Sequence, residues 1–233
     1  MNIIAFAREY PKFKSVVSCK STGLLYQNLA MPFTYLFFVL RLSPNLITFF
    51  SLISFILGAF FFIKESFIFC AGFWVLSYVL DCADGALARA SNKQSSFGGF
   101  LDVSIDRLIN LIFLAIVSSW ASFQSYTSIE LFVIILGCGL ITFNALLSTT
   151  RVLYFPELKG YGRRENTSLL ISFSKLVYEL LETGNLYIIV CLSFYFNYEV
   201  EVLLLYSGVV FPLVIFNFFI AYKAGVERDN GKR

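Results

Sequence analysis

The chain has 233 residues, of which 58% are hydrophobic, 28 are phenylalanine and only 14% are charged. That balance lies outside the range of soluble globular domains, and a net charge of +3 calls for no nucleic-acid partner. Histidine is absent, which excludes Ser-His-Asp and Cys-His catalysis, imidazole-ligated metals and histidine proton relays.

Residues 1–43 read as a cytoplasmic segment at the membrane interface. Ile3 to Ala7 is too short for the apolar core of a signal peptide and is followed at once by Arg8 and Glu9. From Glu9 to Leu40 basic residues interleave with Phe13, Val16, Val17, Leu24, Leu25, Tyr26 and Leu29, as in segments that lie on a membrane surface. Gly23 and Pro32 argue against one continuous helix there.

Six apolar runs follow: Pro44–Ile63, Ser66–Arg89, Gly98–Trp120, Ile129–Arg151, Leu176–Asn197 and Val200–Tyr222. Each is about the 20 residues that a helix needs to cross a hydrocarbon core. None alternates as the strands of a membrane barrel do. The expected fold is therefore an all-α integral membrane protein, a bundle of six transmembrane helices over residues 44–223, with a C-terminal cytoplasmic tail at 224–233. Arg8, Lys12, Lys14, Lys20 and Arg41 precede the first run, Arg89 and Lys93 separate the second from the third, Arg151, Lys159, Arg163 and Arg164 the fourth from the fifth, and Lys223, Arg228, Lys232 and Arg233 follow the last. The positive-inside rule then puts both termini in the cytoplasm. Five scattered cysteines, with no Cys-x-x-Cys pair, read as packing residues and not as a disulfide framework or a zinc site.

The second and third runs carry acids that lipid does not welcome: Asp81, Asp84, Asp102 and Asp106. On insertion scales each such carboxylate costs about 2.5–3.5 kcal/mol at the middle of a membrane helix, so four of them demand a reason. Positions three, four and seven apart share a helix face. Asp81, Asp84, Gly85 and Ala88 thus form one stripe at the cytoplasmic end of the second run, and Asp102 and Asp106 another at the start of the third. The polar link from Ala90 to Phe97 is expected to bring the stripes face to face. Hard carboxylate oxygens suit Mg²⁺, Mn²⁺ or Ca²⁺, and four are enough for two metals that share ligands. The result would be a polar metal site open to the cytoplasm. Gly85 and Ala88 leave room on the stripe for a phosphate-bearing ligand, and Arg89 is suited to hold one. Helix capping or arginine pairing would account for one isolated aspartate better than for four at these spacings.

The pattern Asp81-x-x-Asp84-Gly85-x-x-Ala88-Arg89, eight residues, Gly98-x-x-x-Asp102-x-x-x-Asp106 resembles, at every fixed position, the signature of the CDP-alcohol phosphotransferase family. Upstream, Ser43-Pro44-Asn45-Leu46-Ile47-Thr48 is similar to the motif that opens the family's first span, with serine for its first threonine. Gly162-Arg163-Arg164-Glu165 resembles a family feature more loosely. The resemblance implies a six-helix bundle, commonly a homodimer, with two divalent metals, Mg²⁺ or Mn²⁺, in a cytoplasm-facing cavity within the lipid bilayer. It implies transfer of a substituted phosphate from a CDP-linked donor to an alcohol acceptor, with release of CMP. By position, Asp81, Asp84 and Asp102 would be the principal metal ligands, with Asp106 contributing to the second metal site and acting as the general base. Asn45, Asp84, Gly85, Ala88 and Arg89 would neighbour the cytidine diphosphate.

An acceptor that carries its own phosphate, of the glycerol 3-phosphate or inositol phosphate type, would find Arg151 where the fourth run ends and Arg164 in the basic segment that precedes the fifth. The same residues also serve topology and anionic head groups. CDP-diacylglycerol with a small polar acceptor is the first expectation, and CDP-choline or CDP-ethanolamine with a lipid alcohol the alternative. A cation-coupled transporter could also use intramembrane aspartates, but the internal repeat typical of such proteins is not seen: the aspartate pattern occurs once.

Overall fold

The computed structural model describes residues 2–14, 25–154 and 183–230. Every regular element among them is helical. In chain order these are α1 (Ile3–Glu9) with a 3-10 turn at Tyr10–Lys12, α2 (Gln27–Val39), α3 (Pro44–Ile63), α4 (Phe67–Ala90), α5 (Ser96–Ser122), α6 (Ser128–Tyr154), α7 (Thr183–Phe196) and α8 (Glu199–Asn230).

Among the described residues four stretches are long and apolar enough to cross a membrane: Pro44–Ile63, Phe67–Ala90, Ser128–Leu147 and Glu199–Val226. They coincide closely with the first, second, fourth and sixth runs read from the sequence. The third run forms α5, 27 residues long, but Asp102, Asp106 and Arg107 in its first half lower its apolar character. Of the fifth, residues 176–182 lie outside the described residues. The apolar helix Asn185–Phe196 that follows is about 18 Å long at 1.5 Å per residue, less than a hydrocarbon core.

Local chemistry explains where the helices begin and end. Ser43 is extended (φ −81°, ψ 141°) and its hydroxyl accepts from the Leu46 backbone N–H at 3.3 Å, while Pro44 occupies the first helical position of α3, where its missing N–H costs nothing. Ser95 does the same for α5, accepting from Gly98 N at 3.0 Å. At the other ends the chain turns through left-handed residues, Arg41 (φ 56°) after α2, Glu65 (φ 57°) after α3 and Asn92 (φ 54°) after α4. Each sits in a paired bond that returns to the last turn: Lys93 N donates to Ala88 O at 2.9 Å and Asn92 N to Arg89 O at 3.3 Å, for example. This is the arrangement that satisfies orphan carbonyls at a helix C-terminus. Here none of the three residues is glycine.

The described chain forms two compact units, one of residues 2–14, 25–109 and 183–195, the other of residues 110–154 and 196–230. In the first, α3 and α4 pack so closely that a Cβ at Gly58 would stand 2.4 Å from Trp74 Cδ1. Ser54 donates to Phe73 O at 2.9 Å, Trp74 Nε1 to Phe55 O at 3.2 Å, and the Trp74 ring stacks on Phe55 at 5.1 Å. Helices in lipid gain little from burying apolar surface against each other, so close approach at small residues and interhelical hydrogen bonds carry the association. Gly58→Ala is therefore expected to cost about 1–3 kcal/mol, the usual penalty for overfilling a packed site. Thermal unfolding of the purified protein in detergent would report it as a lowered Tm.

On the other face of α4, Tyr26, Ala30 and Phe37 pack with Val79, Leu80, Ala83 and Leu87. The Tyr26 hydroxyl donates to Asn185 Oδ1 at 2.9 Å, and the thiols of Cys70 and Cys191 meet at 3.3 Å, so both contacts tie α7 into this unit. Cys70, Cys82, Cys138 and Cys191 are free thiols; Cys19 lies outside the described residues. In the second unit Gly137 of α6 meets Leu203 of α8, Thr142 lies 3.4 Å from the Asn110 carbonyl, and Tyr126 donates to Glu199.

Candidate metal centre

The site is assembled in the first unit, where the end of α4, the start of α5 and the start of α3 come together. The turn between α4 and α5 is short, residues 91–95, and Asn92 in the left-handed region folds it back. Gly98, in the first turn of α5, lets α3 approach: a Cβ there would lie 3.2 Å from Asn45 Oδ1. The first turn of α3, with Asn45 and Thr48 on one face, is thereby set beside the aspartates.

Asp81, Asp102 and Asp106 each place a carboxylate oxygen within 4.8 Å of the others. All three are half-buried, and Asp81 and Asp102 come within hydrogen-bonding reach of each other. Two full negative charges at 4.8 Å repel by about 3.5 kcal/mol at an effective dielectric constant of 20, so the trio needs positive charge or protons to persist. Three oxygen donors around one point, with no nitrogen or sulfur among them, fit a hard divalent cation.

Asp84 stands outside this trio. It is buried, 5% exposed, and its Oδ2 accepts from the Thr48 hydroxyl at 2.5 Å. Half-buried Gly85 lies beneath the guanidinium of Arg89: a Cβ on Gly85 would be 3.3 Å and 3.4 Å from the two Nη atoms. Ala88, also half-buried, is one turn further along the same face. Asn45 is beside Gly98. The signature residues of α4 and α5 and the motif at the start of α3 are therefore neighbours. Arg151 falls in the last turns of α6, with its side chain outside the description, and Arg164 lies outside the described residues.

Two contacts had no counterpart in the sequence reading. Thr48 belongs to the motif at the head of α3, and the only signal of its role is that it follows Asn45 by three residues and so shares its face. The other is the Arg89 Nε–H, which donates to the backbone carbonyl of Phe13 at 2.5 Å. Every residue owns a carbonyl, so no sequence signal marks that one.

Residues 41–214 match the family profile described as CDP-alcohol phosphatidyltransferase. Among similar proteins, one of Aquifex aeolicus described only as uncharacterised is 35% identical over 130 residues, 55% of this chain and 61% of its own length. A bifunctional IPC transferase and DIPP synthase of Archaeoglobus fulgidus is 43% identical over 80 residues, 34% of this chain and 16% of its own. An archaetidylinositol phosphate synthase of Pyrococcus horikoshii is 41% identical over 69 residues, 30% of this chain and 37% of its own. The chain thus covers less than two thirds of the length of each of these relatives.

Proposed function

Because the chain belongs to the CDP-alcohol phosphatidyltransferase family, we propose that it is a membrane enzyme of phospholipid synthesis. It would transfer a substituted phosphate, phosphatidyl in the first instance, from a CDP-linked lipid such as CDP-diacylglycerol to the hydroxyl of a small polar alcohol, and release CMP. The observation that carries this reading is the convergence of Asp81, Asp102 and Asp106, which come from two helices and stand in one register of the family signature.

Asp81, Asp102 and Asp106, with Asp84 beside them, are the residues that would hold Mg²⁺ or Mn²⁺, and four carboxylates suffice for two ions. When bound, the ions neutralise charge on the diphosphate and on the departing CMP. Asn45, Gly85, Ala88 and Arg89 would receive the donor: the two small residues leave the face open, and the guanidinium offers N–H donors in phosphate geometry. An alcohol is a weak nucleophile at neutral pH, so a carboxylate must take its proton as it attacks; that role falls to Asp106. The acceptor oxygen bonds to the phosphorus that bears the lipid, the bond from that phosphorus to the CMP oxygen breaks, and the proton passes to Asp106.

Thr48 engages one oxygen of Asp84 and so decides which oxygen and which rotamer the carboxylate offers. Partners that orient a metal's ligands typically contribute 10–100-fold to metal affinity or activity. Thr48→Val, which keeps the shape and removes the donor, is expected to weaken Mn²⁺ binding or turnover by about tenfold. Thr48→Ser should restore it. Mn²⁺ titration followed by electron paramagnetic resonance, together with CMP release, checks both.

The same reading carries six membrane spans, both termini in the cytoplasm and a homodimeric assembly. For the acceptor, similarity to a protein described as an archaetidylinositol phosphate synthase supports a phosphorylated polyol, of the inositol phosphate or glycerol 3-phosphate type, with Arg151 and Arg164 holding its phosphate. The test is purified protein with Mg²⁺ or Mn²⁺ and a panel of labelled CDP donors and alcohols, read as CMP release. Release from CDP-diacylglycerol with a phosphorylated polyol is expected. Release only from CDP-choline or CDP-ethanolamine with diacylglycerol would reverse the donor and acceptor assignment, and release with no combination would refute the function.

A further inference from the structure

The N-terminal helix bears on the site from outside the signature. With Nε bonded to the Phe13 carbonyl, Arg89 has used one of its five N–H donors, and among the described residues the four on its Nη atoms remain for a ligand. Those atoms are the ones that lie over Gly85, on the stripe shared with Asp81 and Asp84. The carbonyl is itself held by a small core. Phe6 is wholly buried and Tyr10 is 3% exposed, both packed with Ala86 of α4, and Phe13, Met31, Tyr35, Phe38 and Ala90 close around them. The Phe6 ring lies 5.4 Å from that of Tyr35, 5.5 Å from Phe38 and 5.8 Å from Phe13. The Tyr10 hydroxyl donates to the Gln27 carbonyl at 2.8 Å, a buried bond to the start of α2, and Lys14 donates to Asn28 in the same helix.

A membrane-surface segment that only coated lipid would not need this anchoring against α4. An arginine free to change rotamer must be ordered when it grips a ligand, and that entropy is charged to binding. A fixed acceptor on Nε settles the guanidinium plane in advance. We propose that residues 2–14 are a working part of the donor site: Phe6 and Tyr10 are positioning residues that hold the Phe13 carbonyl, which holds Arg89 with its Nη atoms free for the diphosphate. This rests on the assignment of Arg89 to the CDP donor made above.

The test uses CDP itself, the part common to all CDP-linked donors, titrated with Mg²⁺ present into the purified full-length protein by calorimetry, so that no turnover is involved. Phe6→Ala and Arg89→Lys are each expected to weaken CDP binding by about tenfold, since small misplacements at such sites are costly. Because both act through one guanidinium, the double variant should bind no more weakly than Arg89→Lys alone, and Phe6→Leu, which keeps an apolar plug, should bind as the wild type does. If Phe6→Ala does not fold, Tyr10→Phe removes one hydrogen bond, keeps the ring and enters the same cycle, with a smaller loss that also vanishes beside Arg89→Lys. Wild-type CDP affinity in the position 6 and position 10 variants, or penalties that add in full to that of Arg89→Lys, would overturn the inference and leave the donor role of Arg89 intact. An Arg89→Lys protein that binds CDP normally would refute that donor role, and the inference with it.

Discussion

Asp106→Asn is expected to bind divalent metal and CDP much as the wild type does and yet lose most of its turnover, by about 10²–10⁴-fold, the range that a positioned general base contributes. The substitution preserves shape and leaves a carbonyl oxygen where one carboxylate oxygen stood, so the group of three donors within 4.8 Å is altered in charge more than in geometry. What the amide cannot do is accept the proton of the attacking alcohol. Mn²⁺ titration, CDP calorimetry and single-turnover CMP release on one preparation separate the two roles. A variant that releases CMP at the wild-type rate would move the base elsewhere; one that loses metal altogether would make Asp106 a ligand first.

Asp102→Asn should fail differently. Asp102 is within hydrogen-bonding reach of Asp81 and grouped with Asp106. Its proposed role is that of a ligand and not the base, so loss of its charge should remove metal binding and turnover together. The signature of that loss is thermal. A cation at a hundredfold excess over its dissociation constant stabilises the folded state by about 2.7 kcal/mol if it binds nowhere else, and Mn²⁺ should raise the wild-type Tm accordingly. In Asp102→Asn the rise should be absent. Without metal, the variant should be at least as stable as the wild type, because one of three mutually repelling carboxylates has been neutralised. Chelation of the wild type should likewise abolish CMP release, and added Mg²⁺ or Mn²⁺ should restore it. A wild type whose Tm ignores these ions would refute the metal centre.

Apolar runs are legible without any knowledge of neighbours, because lipid asks the same of each helix separately; this is why α3, α4 and α6 were found close to their observed bounds, as was the start of α8, which runs on past Tyr222 to Asn230. The meeting of Asp81 with Asp102 and Asp106 was legible for a related reason, though the same reasoning placed Asp84 with them. Spacings of three and four fix a face on any helix, and a short polar link leaves two consecutive helices little choice but to face each other. The helix ends were harder. Arg41, Glu65 and Asn92 take left-handed conformations where sequence reasoning looks first for glycine, and only the surrounding hydrogen bonds make those conformations worthwhile. The N-terminal segment was harder still. Its composition spoke of a membrane surface, but the burial of Phe6 and Tyr10 depends on a groove that α2 and α4 make together.

The amino-acid sequence alone determined that this chain is a helical membrane protein with four acids in the register of one enzyme family, since hydropathy and helical spacing are local properties that survive in any arrangement of the helices. The tertiary structure decided how those acids divide, three gathered at one point and Asp84 turned to Thr48, and which backbone atom restrains Arg89. Those contacts join residues 36 and 76 positions apart. Which partners meet over such distances depends on how closely α3, α2 and the N-terminal helix pack against α4, and packing is a property of the assembled surfaces that no single segment carries.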